Sequence, residues 1–203
     1  MARIAEARPP AAPASKDQVV RRERILAAAA ELGAAEGLDG VQMHEVAKDA
    51  GVAIGTLYRY FPSKTQLFAA VFEEQIRRSV GDGWASRGTD PTGDVGEMLV
   101  HVSRGLMRRP RLGVAMVQSS AMGYASVTAA EAELVQSTLG SAILGTVGVI
   151  EPAERDTSVV RLLMYSWWGT LVAGLSGKTT QPQAEAEIRL AARLLLAPYS
   201  ESD

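Results

Sequence analysis

Cysteine is absent from this 203-residue chain, so neither a disulfide nor a thiolate metal site contributes to it. Imidazole is nearly absent too: His44 and His101 are the whole supply and stand far apart, which leaves a zinc site without support. Aromatic residues make up only 5% of the chain. With alanine and glycine abundant, that scarcity favours closely packed helices over a β-sandwich. A basic excess is also missing, since 21 Lys/Arg face 23 Asp/Glu for a net charge of −2. Residues 1–64 carry nine cations against eight anions, net +1, and the rest of the chain is net −3. A non-specific basic coat is thereby excluded, and contact with nucleic acid must come from a few placed groups, doubled if the chain pairs with itself. Long apolar runs are lacking as well. The uncharged stretches Leu134–Ile150 and Leu162–Gly177 span 17 and 16 residues and contain glycines and hydroxyls. A membrane-spanning helix needs about 20 predominantly apolar residues, so buried helices explain these stretches better.

What is present has helical spacing throughout, with no sustained two-residue alternation. Residues 1–14, rich in Ala and Pro with Glu6 and Arg8 interrupting, exclude a signal peptide and predict a disordered leader, or an arm reaching a minor groove. Ser15-Lys-Asp-Gln18 has the pattern of a capping box opening a first helix, with Ile25, Leu26, Ala29 and Leu32 as its buried stripe and Gly37 as its end. Two short helices follow at 43–50 and 54–60. Pro62 breaks the chain, and Ser63-Lys-Thr-Gln66 caps a helix at 64–80. Further helices are predicted at 94–109, 111–122, 127–148, 152–177 and 183–197, with Pro110, Gly123, Pro152 and Pro182 at the breaks. The chain reads as all-α: a disordered leader (1–14), a three-helix N-terminal domain (15–63), a connecting helix (64–80) and a C-terminal helical bundle (81–203).

The chemistry concentrates at Met43–Lys64. In the first short helix Val46, Ala47 and Ala50 face inward, and Gly51 makes a turn for which glycine is the cheapest residue. In the second, Leu57 is the apolar anchor. Around it Ile54, Thr56, Tyr58, Arg59, Tyr60 and Lys64 are predicted to face outward. Hydroxyls, aromatics and cations where a core helix would show leucines fit a helix-turn-helix that presents its second helix to the DNA major groove. Gly55 and Thr56 suit phosphate oxygens, while Tyr58 and Tyr60 suit phosphates or thymine methyls. Arg59 suits guanine or a phosphate, and the sequence leaves both open. Lys64 is placed as a phosphate clamp, and Gln42 as a cap or a backbone contact. Arg21 and Arg22 fit either phosphate contacts or a solvated face.

The string GTLYRYFPSK at Gly55–Lys64, together with Gly37, Val41, Met43, Val46-Ala47, Ala50-Gly51-Val52 and Leu67, resembles the tetracycline-repressor (TetR) family of regulators. The wording of Val41-Gln-Met43 and Gly55–Lys64 also resembles the KstR branch, repressors of sterol catabolism. The resemblance covers about residues 19–72. It implies a homodimer with one reading helix per subunit entering successive major grooves of a palindromic operator. By position it carries DNA contacts onto Gln42, Gly55, Thr56, Tyr58, Tyr60 and Lys64.

The C-terminal half is read for pairing and for a ligand. Region 152–177 is apolar nearly all round after Arg161, with small residues Gly169, Ala173 and Gly177 stacked below Tyr165. The last helix repeats Ala184, Ile188, Ala191 and Leu195 at heptad-like spacing. Members of the family dimerise through their last two helices, so the predicted interface is Tyr165, Gly169, Val172, Ala173, Ile188, Ala191 and Leu195. An intrachain core would look similar. Methionines interspersed with isolated polar groups suit a small hydrophobic effector, giving Met98, His101, Met116, Gln118, Tyr124, Thr138 and Trp167 as the candidate pocket. The KstR resemblance implies an acyl-CoA or a steroid-like acid.

The expected protein is a cytoplasmic, ligand-responsive, homodimeric repressor without cofactor or metal, released from DNA by a hydrophobic effector. An activator or a broad multidrug sensor is the alternative. No catalytic spacing, metal cluster or phosphate loop argues for an enzyme.

Overall fold

The computed structural model describes residues 15–81, 90–124 and 136–200, with side chains through Ala121 in the second of these. The predicted leader therefore lies outside the described residues. Those residues are helical without strands, as composition and spacing require: α1 (Lys16–Gly40), α2 (Met43–Asp49), α3 (Ile54–Tyr60), α4 (Lys64–Gly81), α5 (Pro91–Met107), α6 (Pro110–Tyr124), α7 (Thr138–Thr146), α8 (Glu154–Leu175) and α9 (Gln181–Leu195), then a 3₁₀ turn, Ala197–Tyr199. No helix among them is long and apolar enough to cross a membrane.

Local chemistry accounts for most of the boundaries. The Ser15 side chain accepts the Gln18 N–H at α1, and Ser63 accepts the Gln66 N–H at 3.1 Å at α4. Gly37 interrupts α1 with φ 73° and ψ 176°, and three further residues complete the last turn. Asp90 accepts the Gly93 N–H at 2.9 Å while Pro91 stands at the first helical position, so α5 begins earlier than the predicted residue 94. The continuous helix expected over 127–148 is corrected. Ser137 takes extended dihedrals (φ −62°, ψ 162°), and its hydroxyl accepts the Gly140 N–H at 3.2 Å, starting α7 afresh; residues 127–135 of the predicted helix lie outside the described ones.

The chain divides into two compact units, one of Met1–Glu74 with Arg111–Ser126, the other of Gln75–Pro110 with Val127–Asp203. In the first, α1 packs on α2 and α2 on α3. Its core holds Ile25, Leu26, Ala29, Val46, Leu57, Phe61, Leu67, Phe68, Ala115 and Met116. Helix α6 joins this unit through α1: a Cβ at Gly33 would overlap the edge of the Phe68 ring and come within 3.1 Å of Leu112 Cδ1. The Arg111 guanidinium also donates to the Ala35 carbonyl.

In the second unit, α9 packs on α5 and α8, and α7 packs on α5 and α8. Met98, Leu99, Val102, Ile143, Leu163, Leu171 and Ile188 are buried there. A buried polar link joins α5 to α8, because Trp167 Nε1 donates to Ser103 Oγ at 2.8 Å and that hydroxyl donates to the Leu99 carbonyl at 2.8 Å. A charged link joins α5 to α9. Arg104 makes two bonds to Glu185, at 2.7 and 2.5 Å, and Arg189 bridges to Glu97 and Glu185.

Candidate nucleic-acid interface

Helices α2 and α3 form a two-helix motif closed by Gly51, whose φ of +64° is a conformation that L side chains rarely adopt. The Gly51 N–H bonds the Lys48 carbonyl at 3.0 Å and the Val52 N–H bonds the Ala47 carbonyl at 2.9 Å, so the carbonyls at the end of α2 are satisfied within the turn. Val46, Ala47, Ala50 and Leu57 turn inward, and Leu57 is fully buried. That fixed inner face decides what the outer face of α3 shows.

The outer face carries exposed Ile54, Gly55, Tyr58 and Arg59, with Thr56 half-buried and Gln42 exposed ahead of α2. Tyr58 is 47% exposed. Gln42 occupies the N-cap position of α2 but makes no capping bond with its side chain. The Arg59 guanidinium lies 5.6 Å from the centre of the Tyr60 ring.

Two side chains depart from the outward placement that the sequence predicts. Tyr60 is only 3% exposed and its hydroxyl has no hydrogen-bond partner among the described residues. It follows Leu57 by three residues, on the same side of the helix, and the buried face takes it in. Lys64 is half-buried, and its ammonium donates to the carbonyls of Val41 at 3.1 Å and Asp39 at 3.3 Å. In the free protomer Lys64 therefore ties the start of α4 to the backbone that enters α2, rather than standing clear as a clamp. Arg22, half-buried, lies 5.6 Å from the centre of the Phe61 ring, a contact that apolar spacing alone does not announce.

The candidate pocket residues divide between the two units. Met98 and Trp167 are buried in one and Met116 in the other, while His101, Gln118 and Thr138 are exposed on the outward faces of their helices rather than enclosed. The Tyr124 side chain lies outside the described residues. Trp167 keeps its indole N–H on Ser103. Of the predicted dimer residues, Tyr165 is 54% exposed, Val172 38% exposed and Gly169 exposed. Ala173, Ala191 and Leu195 are half-buried. Ile188 is corrected: it is buried at 2% in the core of its own unit, because α9 turns this side toward α5 and α8. Leu190 and Leu194, 49% and 68% exposed, occupy the outward side instead, and Leu162 joins them from α8 at 53%. The heptad spacing was ambiguous in phase, and either register was compatible with it.

Comparison with known proteins agrees with this architecture. Residues 25–71 match the family described as bacterial regulatory proteins, tetR family, and residues 88–195 match the tetracyclin repressor-like C-terminal domain. The HTH-type transcriptional repressor KstR of Rhodococcus jostii is 33% identical over 92% of this chain and 87% of its own length. KstR of Mycobacterium tuberculosis is 32% identical over 90% and 83%. A crystal structure of a TetR transcriptional regulator from a Rhodococcus species superposes with a TM-score of 0.79 at 45% identity, covering 92% of this chain and all of the other. FadR of Thermus thermophilus, solved with lauroyl-CoA, shares the fold at 21% identity and a TM-score of 0.56, over 90% of this chain and 96% of that one. A glycine-closed helix pair with a polar outer face, in an all-helical chain matched along both halves, places the protein in the TetR family of DNA-binding transcriptional regulators.

Proposed function

We propose that the chain is a homodimeric repressor, held on a palindromic operator in its free state and released by a small hydrophobic effector. The observation that carries this reading is the outer face of α3, where Gly55, Tyr58 and Arg59 are exposed around a buried Leu57. Residues 15–63 form the DNA-binding domain, 64–80 the connecting helix and 81–203 the effector and pairing domain. Gln42, Gly55, Thr56, Tyr58 and Arg59 meet the DNA directly. Tyr60 and Lys64 reach it only if the backbone around them shifts on binding, since both are engaged inward in the free protomer. Pairing uses the apolar side chains that α8 and α9 leave uncovered, Leu162, Tyr165, Val172, Leu190 and Leu194, with Gly169 allowing close approach. Five large apolar side chains exposed on two adjacent helices are more than a monomer's usual scatter.

The effector is an acyl-CoA or a steroid-like acid, as the similarity to KstR suggests, and it acts in the cytoplasm. Effector binding among the C-terminal helices moves α4 and alters the spacing of the two reading helices. A coupling of about 1–3 kcal/mol shifts DNA affinity roughly 5–150-fold, enough for induction. Genomic footprinting of the bound sites tests the whole reading, because it yields the operator and the neighbouring genes together. Palindromic sites vacated on adding an acyl-CoA support it. Tighter occupancy with every effector would make the chain an activator or a corepressor-dependent switch.

A further inference from the structure

We propose that Arg24, on α1 outside the reading motif, is a further DNA-positioning residue that contacts a phosphate beside the α2–α3 turn. The proposal rests on the DNA-binding reading and adds a contact to it. The cations of the first unit are few, and four of the eight among the described residues are already engaged. Lys64 bonds two carbonyls, Arg111 bonds a third, and Arg22 and Arg59 lie over aromatic rings. Arg24 is exposed and has no hydrogen bond or ion pair among the described residues.

Its position is nevertheless defined. Arg24 Nη1 lies 3.7 Å from where a Cβ would stand on Gly51. The guanidinium is therefore delivered from α1 to the turn itself, just before the exposed residues Ala53, Ile54 and Gly55 that open α3. A fork of donors held there without an acceptor suits a phosphate oxygen of a duplex lying across that opening. The near-neutral charge of residues 1–64 makes each such contact count for more. The competing role is structural: a cation near the last carbonyls of α2 also favours the helix dipole.

Salt dependence separates the two roles, and it needs no operator. The probe is a random-sequence duplex of about 30 base pairs, long enough for two successive major grooves. Affinity is followed by fluorescence anisotropy between about 0.05 and 0.2 M salt. Each phosphate contact contributes a slope of about 0.9 in log affinity against log salt, equivalent to about eightfold in affinity at 0.1 M. Arg24→Gln is expected to lower the slope by about 1 per protomer and the affinity by about eightfold per protomer, with an unchanged melting temperature. Arg24→Lys should restore most of the slope. Arg108→Gln, an exposed cation at the end of α5, should leave slope and affinity as in the wild type. A lower melting temperature for Arg24→Gln with an unaltered salt slope overturns the proposal in favour of the structural role. Failure of the wild-type protein to bind the duplex at all would instead remove the DNA-binding reading on which it stands.

Discussion

Removing the Ser103 hydroxyl tests whether the α5–α8 link stabilises the second unit. Ser103 is fully buried and its oxygen is the acceptor for the indole N–H of Trp167, itself 2% exposed. Ser103→Ala takes away that acceptor and leaves a hole smaller than a water molecule, so the N–H loses its partner in a dry place. A buried donor stripped of its acceptor costs about 1–3 kcal/mol. The better helix propensity of alanine returns about 0.5 kcal/mol. The net loss is therefore about 0.5–2.5 kcal/mol, or roughly 1–10 °C in melting temperature for a chain of this size. Trp167→Phe removes the donor instead, and the serine hydroxyl keeps its bond to the Leu99 carbonyl. The two substitutions together should then cost less than their sum, by about 1 kcal/mol. The assay is urea and thermal unfolding of the four proteins at one concentration. A Ser103→Ala protein that melts at or above the wild-type temperature, or a strictly additive cycle, would refute the reasoning.

Three further outcomes are expected. The two bonds from Arg104, opposed by burial, hold the Glu185 carboxyl down from the usual 4.5 to about 2. The stability it contributes is complete above pH 4.5 and is lost as the pH falls toward about 2, so Glu185→Gln should flatten the acid limb of urea midpoint against pH; an unaltered limb would speak against the link. Leu190→Asp combined with Leu194→Asp places charge on the exposed side of α9 and should shift light-scattering mass from two chains to one at micromolar concentration; an unchanged mass moves the pairing surface elsewhere. Tyr60→Phe removes a buried, unpartnered hydroxyl and should raise stability by about 1 kcal/mol. A lower melting temperature would show that the hydroxyl has a partner.

The first half of the fold was legible because its signals are local. Ser15 and Ser63 cap helices, Gly51 makes the turn, and Leu57 anchors α3, all by spacing within a few residues. The burial of Tyr60 had a local signal too, three residues after Leu57, but its hydroxyl and its place in the motif argued for the surface. Other contacts depend on tertiary approach and leave no local trace. Lys64 meets backbone 23 and 25 residues away, and Arg104 meets Glu185 at a separation of 81. The α7 start at Ser137 was obscured because the apolar residues on either side continue a helical spacing through it.

The grouping of α6 with the N-terminal helices has a practical consequence for protein engineering. The chain leaves the first unit after Glu74 and re-enters it at Arg111, where Leu112 and Phe68 crowd Gly33 and Arg111 holds the Ala35 carbonyl. A hybrid sensor spliced once, between α4 and α5, would inherit the reading helix from one parent and the side chains filling the gap beside α1 from another. Successful chimeras should therefore carry two junctions, transplanting the early turns of α6 along with the helix pair they support.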